Sequence, residues 1–221
     1  PQPDWRGALA RYPPAGKLGA TFGSGGIVLM PSLVTGSSQA DAVWDQGKIL
    51  VRGSGNLYRF NTNGTLDATF DQDGIVQTTL SGPLAVDPAG NIFVGGTVSI
   101  PQPVGLAWTH FAVAKYLADG RVDTTFGTNG VASGNYGAER DGTSAIGLQP
   151  QAGGGFSIIV GGSSQTPDSS SPNGWSQSQF AAARFTAAGV LDSSFGSGGV
   201  TITPILYRSN AGPMDIQTDG R

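Results

Sequence analysis

The chain contains no cysteine, one histidine and, in Glu139, one glutamate. Without thiols there are neither disulfides nor thiolate metal sites, and a single imidazole cannot build a His-based metal centre. Charge is scarce as well: 12% of the 221 residues are charged, and the formal net charge is −3. No cluster of Lys and Arg stands anywhere in the chain, so the electrostatic footprint of phosphate-backbone binding is missing and nucleic acid is not an expected partner. No apolar run approaches the roughly 20 residues that cross a bilayer as a helix, so no membrane span is expected. The opening residues PQPDWRGALA lack a charged n-region and an apolar h-region; a signal peptide is either absent or already removed. Catalytic motifs are equally thin. There is no G-x-S-x-G elbow, and the GSGG strings at Gly23 and Gly196 lie in turns with no helix pattern behind them, so they do not read as phosphate cradles. No cofactor is implied.

What is abundant is glycine, 36 residues, alongside 14 Pro, with 38% hydrophobic residues to supply a core. The glycines are not scattered. RYPPAGKLGATFGSGGIV at Arg11 returns as RFNTNGTLDATFDQDGIV at Arg59, KYLADGRVDTTFGTNGVA at Lys115 and RFTAAGVLDSSFGSGGVT at Arg184. Each copy holds a cation and an aromatic, then Gly16, Gly64, Gly120 or Gly189, then Phe22, Phe70, Phe126 or Phe195 at a fixed distance. The interval between copies lengthens along the chain while the phrase never slips, so the insertions fall outside it. A self-similarity of about 50 residues is the mark of a propeller, solenoid or array.

Between the phrases lies a second recurring element: AVWDQGKILVRG from Ala42, LAVDPAGNIFVGG from Leu84 and IGLQPQAGGGFSIIVGG from Ile146. A short apolar segment, a Gly-bearing turn and an alternating β-branched run predict two strands joined by a tight turn. The phrase adds a third strand, FAVAKY at Phe111 or FAAARF at Phe180, and a fourth at Gly130 or Gly199. Each unit is then a four-stranded antiparallel meander, the size of a propeller blade. The small Ala42, Ala85 and Gly147 suit an innermost strand, and Trp44 is expected to plug a central channel there. Phe70, Phe126 and Phe195 are expected to be buried, with Asp67, Asp123 and Asp192 bonding backbone amides in the turn.

The combination F-A-x-A-[RK]-[YF], G-x-L-D-x-x-F-G-x-x-G-V and A-V-D-P-x-G-x-I-x-V-x-G resembles the delta-60 repeat over nearly the whole chain. The resemblance implies a bacterial, mostly exported β-propeller with no common activity. Copy one departs at Gly19, where the others have Asp, and copy two at Asp71, where the others have Gly. The expected fold is therefore all-β, a single propeller domain or propeller fragment over residues 1–221 with four delta-60-like repeats. Low charge and abundant Gly, Ser, Thr and Asn agree with an extracellular or cell-surface location.

A fold of this kind does not name an activity, so function rests on sites. Asp67, Asp71 and Asp73 before Gly74 are a weak metal candidate, since a calcium loop needs more converging oxygens than they supply; fixing the turn is the plainer role. His110, directly before Phe111, reads either as a surface residue at a strand edge or as an acid or base. The distinctive feature is the connection between second and third strands. It is short before Leu57 but becomes TVSIPQPVGLAWTH and then SSQTPDSSSPNGWSQSQ. Trp108, Trp175 and Trp5 are expected to project from one face, joined by Tyr136, Glu139, Arg140, Asp141, Tyr207 and Arg208 from the links between units, opposite the turns at Gly64, Gly120 and Gly189. These aromatics either bind a glycan or protein, or each covers the edge of its own blade. A binding or structural module is the leading reading. A polysaccharide-active hydrolase or lyase is its rival, and a scaffold fragment whose active groups lie on another chain is the third. An open inner strand is expected at Asp215 to Thr218, beside a chain that begins in mid-unit; a second polypeptide fragment or a second copy is the expected partner, against a compact four-bladed ring.

Overall fold

A computed structural model describes residues 6–33, 41–53, 55–102, 107–134, 140–171, 174–176, 178–204, 212 and 214–217. Among them every regular element is a β-strand. In chain order these are β1 (Arg6–Ala10), β2 (Ile27–Leu33), β3 (Asp41–Asp45), β4 (Lys48–Gly53), β5 (Asn56–Phe60), β6 (Ile75–Gln77) and β7 (Leu84–Val86). They are followed by β8 (Ile92–Ile100), β9 (Trp108–Tyr116), β10 (Val131–Ser133), β11 (Arg140–Pro150), β12 (Phe156–Gln165), β13 (Gln179–Thr186) and β14 (Val200–Thr203).

The pairing repeats. Strands β3-β4-β5-β6 form a four-stranded antiparallel sheet. The same order recurs twice within an eight-stranded sheet, as β7-β8-β9-β10 and β11-β12-β13-β14. The two halves join where Arg140 of β11 bridges Thr109 of β9 in parallel. Ahead of these, β1 and β2 make a two-stranded sheet.

The recurring phrase folds identically in each copy because its ladder runs through the backbone. In copy two the Asp67, Phe70 and Gly74 amides donate to the carbonyls of Arg59, Asp67 and Phe70. In copy one Gly19, Phe22 and Gly26 donate to Arg11, Gly19 and Phe22, so the loss of the Asp side chain leaves the ladder intact. Asp71 has φ 45 where Gly127 has φ 55; Asp is among the few L-residues that visit this left-handed region readily, which is why the replacement is tolerated.

Side chains then lock the turn. The Asp67, Asp123 and Asp192 carboxylates accept the N–H of Thr69, Thr125 and Ser194 at 3.2, 3.1 and 3.0 Å. Their second oxygens hold the phrase cation, Arg59 at 2.9 Å, Lys115 at 2.9 Å and Arg184 at 2.8 Å. Each cation in turn stands over the phrase Phe: 4.6 Å for Arg59 on Phe70, 5.9 Å for Lys115 on Phe126 and 4.8 Å for Arg184 on Phe195.

Consecutive copies dock through these same groups. The amide of Gly23, Asp71 or Gly127 donates to the carbonyl of Asn63, Asp119 or Ala188 in the next copy, at 2.8, 2.8 and 3.1 Å. The receiving turn must be glycine: a β-carbon on Gly120 or Gly189 would stand 3.0 Å from the ring of Phe70 or Phe126. Arg11 Nη1 adds a bond to Thr62 O at 2.8 Å, and Arg59 Nη1 bonds Ala118 O. Apolar clusters fill the space between units: Leu50, Phe70, Ile92 and Val94 in one, Phe93, Phe126, Ile158 and Phe185 in another, and Met30, Val51, Tyr58 and Phe60 under the first hairpin.

Three expectations are corrected. Phe70 and Phe126 are buried, but Phe195 is only half-buried, because no following turn lies over it among the described residues. Trp44 does not fill a channel: β3 turns Asp41, Val43 and Asp45 inward, which leaves Trp44 on the opposite side, 61% exposed. Asp215–Gln217 form no hydrogen-bonded strand; Ile216 instead packs on β11, so close that a β-carbon on Gly147 would meet its Cδ1 at 2.6 Å. Thr218 lies outside the described residues.

Phe126→Ala is expected to destabilise the fold by about 3 to 5 kcal/mol, the cost of removing a large buried aromatic. Denaturant unfolding of the variant beside the parent measures it, and a loss under 1 kcal/mol would contradict the packing described.

Candidate functional site

The register of the eight-stranded sheet gathers three connections at one end. Trp108 opens β9 opposite Ile100 of β8, Thr109 bridges Arg140, and Arg140 pairs with Gln165 at the end of β12. The turns at Gly120 and Gly189 follow β9 and β13 at the other end. Trp108 is half-buried and Arg140 is exposed; Arg140 pairs with Thr109, one position along from Trp108, so the indole and the guanidinium leave this end of the sheet from opposite faces. Trp5, Tyr136, Glu139, Tyr207 and Arg208 lie outside the described residues.

The remaining candidates turn inward. Asp141 is buried, and one of its oxygens accepts the Phe111 amide at 3.1 Å while its carbonyl takes the Thr109 hydroxyl at 2.9 Å. These bonds tie β11 to β9 beyond the single bridge. His110, expected at a surface edge, is fully buried, and its Nδ1 lies 2.8 Å from Gly134 O. The reason is strand length. β8 and β9 pair out to Ile100 and Trp108, three residues beyond the expected strand start at Phe111, so His110 faces Val98 within a ladder with β11 alongside.

Trp175 is likewise corrected: it is 7% exposed. The long connection does not splay but folds into a small hairpin of its own, with Pro167 bridging Trp175 and the Ser176 amide donating to Thr166 O at 2.8 Å. Asp168 fixes the tip by accepting the Ser170 amide at 2.9 Å and hydroxyl at 2.6 Å. Trp175 is therefore turned inward and not presented at the surface.

The acidic string does not converge. Asp67 is engaged by Lys48 at 3.2 Å, Arg59 and Thr69. The Asp71 amide spans to the next copy, and Asp73 accepts the Ile75 amide at 2.8 Å. Among the described residues no group of three His, Cys, Asp or Glu side chains could hold a metal ion.

A polar constellation the linear sequence did not suggest lies beneath the phrase cation. Asp45 ends β3 through a two-residue turn, Gln46 and Gly47, both with positive φ, and pairs with Lys48. This places Asp45, not Trp44, in the position of Asp87 and Gln149. Gln149 accepts Arg184 Nη1 at 3.2 Å. Burial pushes the Asp45 carboxyl above its ordinary range, Arg59 pulls it down and Asp87 adds to the rise. The two-residue spacing from Asp45 to Lys48, read as a hairpin, is the signal that could have fixed this alignment.

Residues 47–70, from the β3–β4 turn through β5 to the phrase Phe, match a family model described as "Domain of unknown function (DUF5122) beta-propeller". No curated protein and no solved structure gives a match. The matched stretch is thus similar to a β-propeller-type repeat, and the chain is all-β with several sheets and no helix among the described residues.

Burial raises the Asp67 carboxyl, but bonds from Thr69 and Lys48 and the charge of Arg59 outweigh it and hold the group at about 2. A depressed folded value means stabilisation that is full above the unfolded carboxylate range near 4 and is lost as pH falls through about 2. Asp67→Asn is expected to cost about 2 kcal/mol at pH 7, the difference shrinking between pH 4 and 2. Urea unfolding across that range tests it; a pH-independent difference would contradict the linkage.

Proposed function

We propose that this chain is a non-catalytic, exported bacterial β-propeller of delta-60-like, four-stranded blades, and that it binds a glycan or protein at the end of the sheet carrying Trp108 and Arg140. The observation that carries the reading is the convergence of Trp108, Arg140 and the 166–176 connection through the Thr109–Arg140 bridge and the Arg140–Gln165 pair. A half-buried indole on a strand end offers apolar area at low ordering cost, and an exposed guanidinium at the same end of the sheet, on its other face, adds a directional donor. Supporting the reading further, chain length varies between copies at this end while the turns at the other end stay constant. Bonds of Asp168 to Ser170 and of Ser176 to Thr166 give the described part of this connection a defined shape. In this reading His110, Asp141 and Trp175 hold the platform, and further repeats from another polypeptide or another copy complete the array.

Binding is tested with a panel of soluble bacterial polysaccharides and with surface-protein extracts, using the parent chain, Trp108→Ala and Arg140→Ala. Both variants are expected to weaken binding at least tenfold with thermal transitions close to the parent's, whereas Trp175→Ala is expected to lower the transition itself. Unchanged affinity in both Trp108→Ala and Arg140→Ala, with a ligand that binds the parent, would remove this edge as the site.

A further inference from the structure

We propose that Asn63 is a self-modifying residue: the fold activates its side-chain amide for attack by the Gly64 nitrogen, so the folded chain loses ammonia there and alters the first junction between copies.

The sequence supplies two matched sites for this chemistry. Thr62-Asn63-Gly64-Thr65 and Thr128-Asn129-Gly130-Val131 share their first three residues. A third Asn-Gly pair, at Asn173, lies outside the described residues. Glycine favours the attack because it has no side chain to shield its nitrogen. In both matched sites that nitrogen holds one backbone bond, Gly64 to Asn61 O at 2.9 Å and Gly130 to Phe126 O at 3.0 Å, so the two nucleophiles have a similar tie to release.

The electrophiles differ. Asn63 Oδ1 accepts two hydrogen bonds, from the Thr65 amide at 3.0 Å and the Thr65 hydroxyl at 2.8 Å. That hydroxyl accepts Asn61 Nδ2 at 2.9 Å, and Asn61 Oδ1 accepts Lys48 Nζ at 2.6 Å. Lys48 is anchored on its other side by Asp67 at 3.2 Å. Every donor in the series points towards Asn63, so each bond polarises the next and the last rests on Oδ1. Negative charge gathers on that oxygen when the amide carbon becomes tetrahedral, and donors already aimed at it lower the barrier. Asn63 is exposed, which lets ammonia leave and water enter. At the second site Val131 has no hydroxyl, its amide donates to Thr128 O at 3.1 Å, and Asn129 stands at φ 52.

The Gly64 nitrogen gives its proton to solvent, and its lone pair forms a bond to Asn63 Cγ. The Cγ–Nδ2 bond breaks, and the departing nitrogen takes a proton and leaves as ammonia. Water then opens the succinimide at either carbonyl. Opening at Cγ leaves an ordinary aspartate at position 63; opening at the backbone carbonyl leaves an isoaspartate, with the main chain rerouted through Cγ and the former carbonyl freed as a carboxylate. Copy three already carries the first product: Asp119 accepts the Arg121 amide on Oδ1 at 3.1 Å and the Asp71 amide on its carbonyl at 2.8 Å. The second product removes the carbonyl that the Gly23 amide bonds at 2.8 Å, next to the Thr62 O held by Arg11. Isoaspartate at this position therefore loosens the junction of copies one and two and leaves the others as they are.

The folded parent chain is held in mildly alkaline buffer and digested, and the peptides over positions 63 and 129 are followed by mass spectrometry with chromatographic separation of isoaspartate. Position 63 is expected to convert about fivefold faster than 129, the effect of one additional hydrogen bond in the transition state. In concentrated urea the two are expected to convert at equal rates. Thr65→Val, which gives copy two the flanking residues of copy three, is expected to slow position 63 towards the rate of 129, and Thr65→Ser to recover most of the parent rate. Equal rates at the two positions in the folded parent, an advantage of 63 that persists in urea, or a Thr65→Val chain as fast as the parent overturns the proposal. If Thr65→Val shifts the thermal transition, the comparison of 63 with 129 inside the folded and unfolded parent decides alone.

Discussion

The fold depends on one cation placed between a carboxylate and an aromatic ring. Arg59 illustrates the demand: its guanidinium is held by Asp67, lies over Phe70 and reaches a carbonyl of the following copy. Arg suits all three tasks at once because it is planar, permanently charged and presents several donors in a fixed fork. A buried charge of this kind contributes little by its Coulomb energy alone, since desolvation offsets most of it. What it provides is geometry. Asp67 fixes the turn that carries Phe70, the ring fixes the floor on which Gly120 lands, and the spacing of successive units follows.

That arrangement explains why two zones of the chain behave so differently. At the turn end, the glycine and the residue after the phrase Phe are held by a backbone bond to the adjacent copy at each of the three junctions, so neither length nor register can drift there. At the other end β8–β9 and β12–β13 extend to different lengths before turning. Asp141 and Thr109 stitch β11 to β9 there, which gives the free end a rigid base without constraining what it displays.

Much of this was legible in the residues. The fixed distance from Gly to Phe located the turns, the Asp at its recurring position predicted the amide bonds, and alternating β-branched runs located the paired strands. The errors share a cause: they concern what lies across space from a strand rather than along it. His110 was read at an edge because the extra pairs from Val98 to Ile100 have no distinctive pattern. Trp175 was read as projecting because a hairpin closed by Ser176 and Asp168 looks, in one dimension, like any polar loop. Trp44 was misplaced by one position, and in a strand one position exchanges the two faces. The half-burial of Phe195 could not be read from its own copy, since its cover comes from the next. The match to a propeller-type repeat falls on residues 47–70, the most compact unit, where no long connection interrupts the pattern.

Lys115 stands where the other copies have arginine, and it has a consequence for how the array responds to solvent. Its ammonium reaches Asp123 but extends no second arm to the following turn, whereas the first two junctions carry guanidinium straps to Thr62 and Ala118. The Lys115 junction rests on its backbone bond and its apolar cluster, with Phe93 edge-on to both Phe126 and Phe156 at 6.0 and 5.6 Å. Polar straps weaken with added salt, and apolar contacts weaken on cooling and strengthen in salting-out ions. All three junctions share apolar contacts and a backbone bond, and the two with guanidinium straps respond to added salt as well, so salt distinguishes the Lys115 junction from its neighbours whereas cooling weakens all of them.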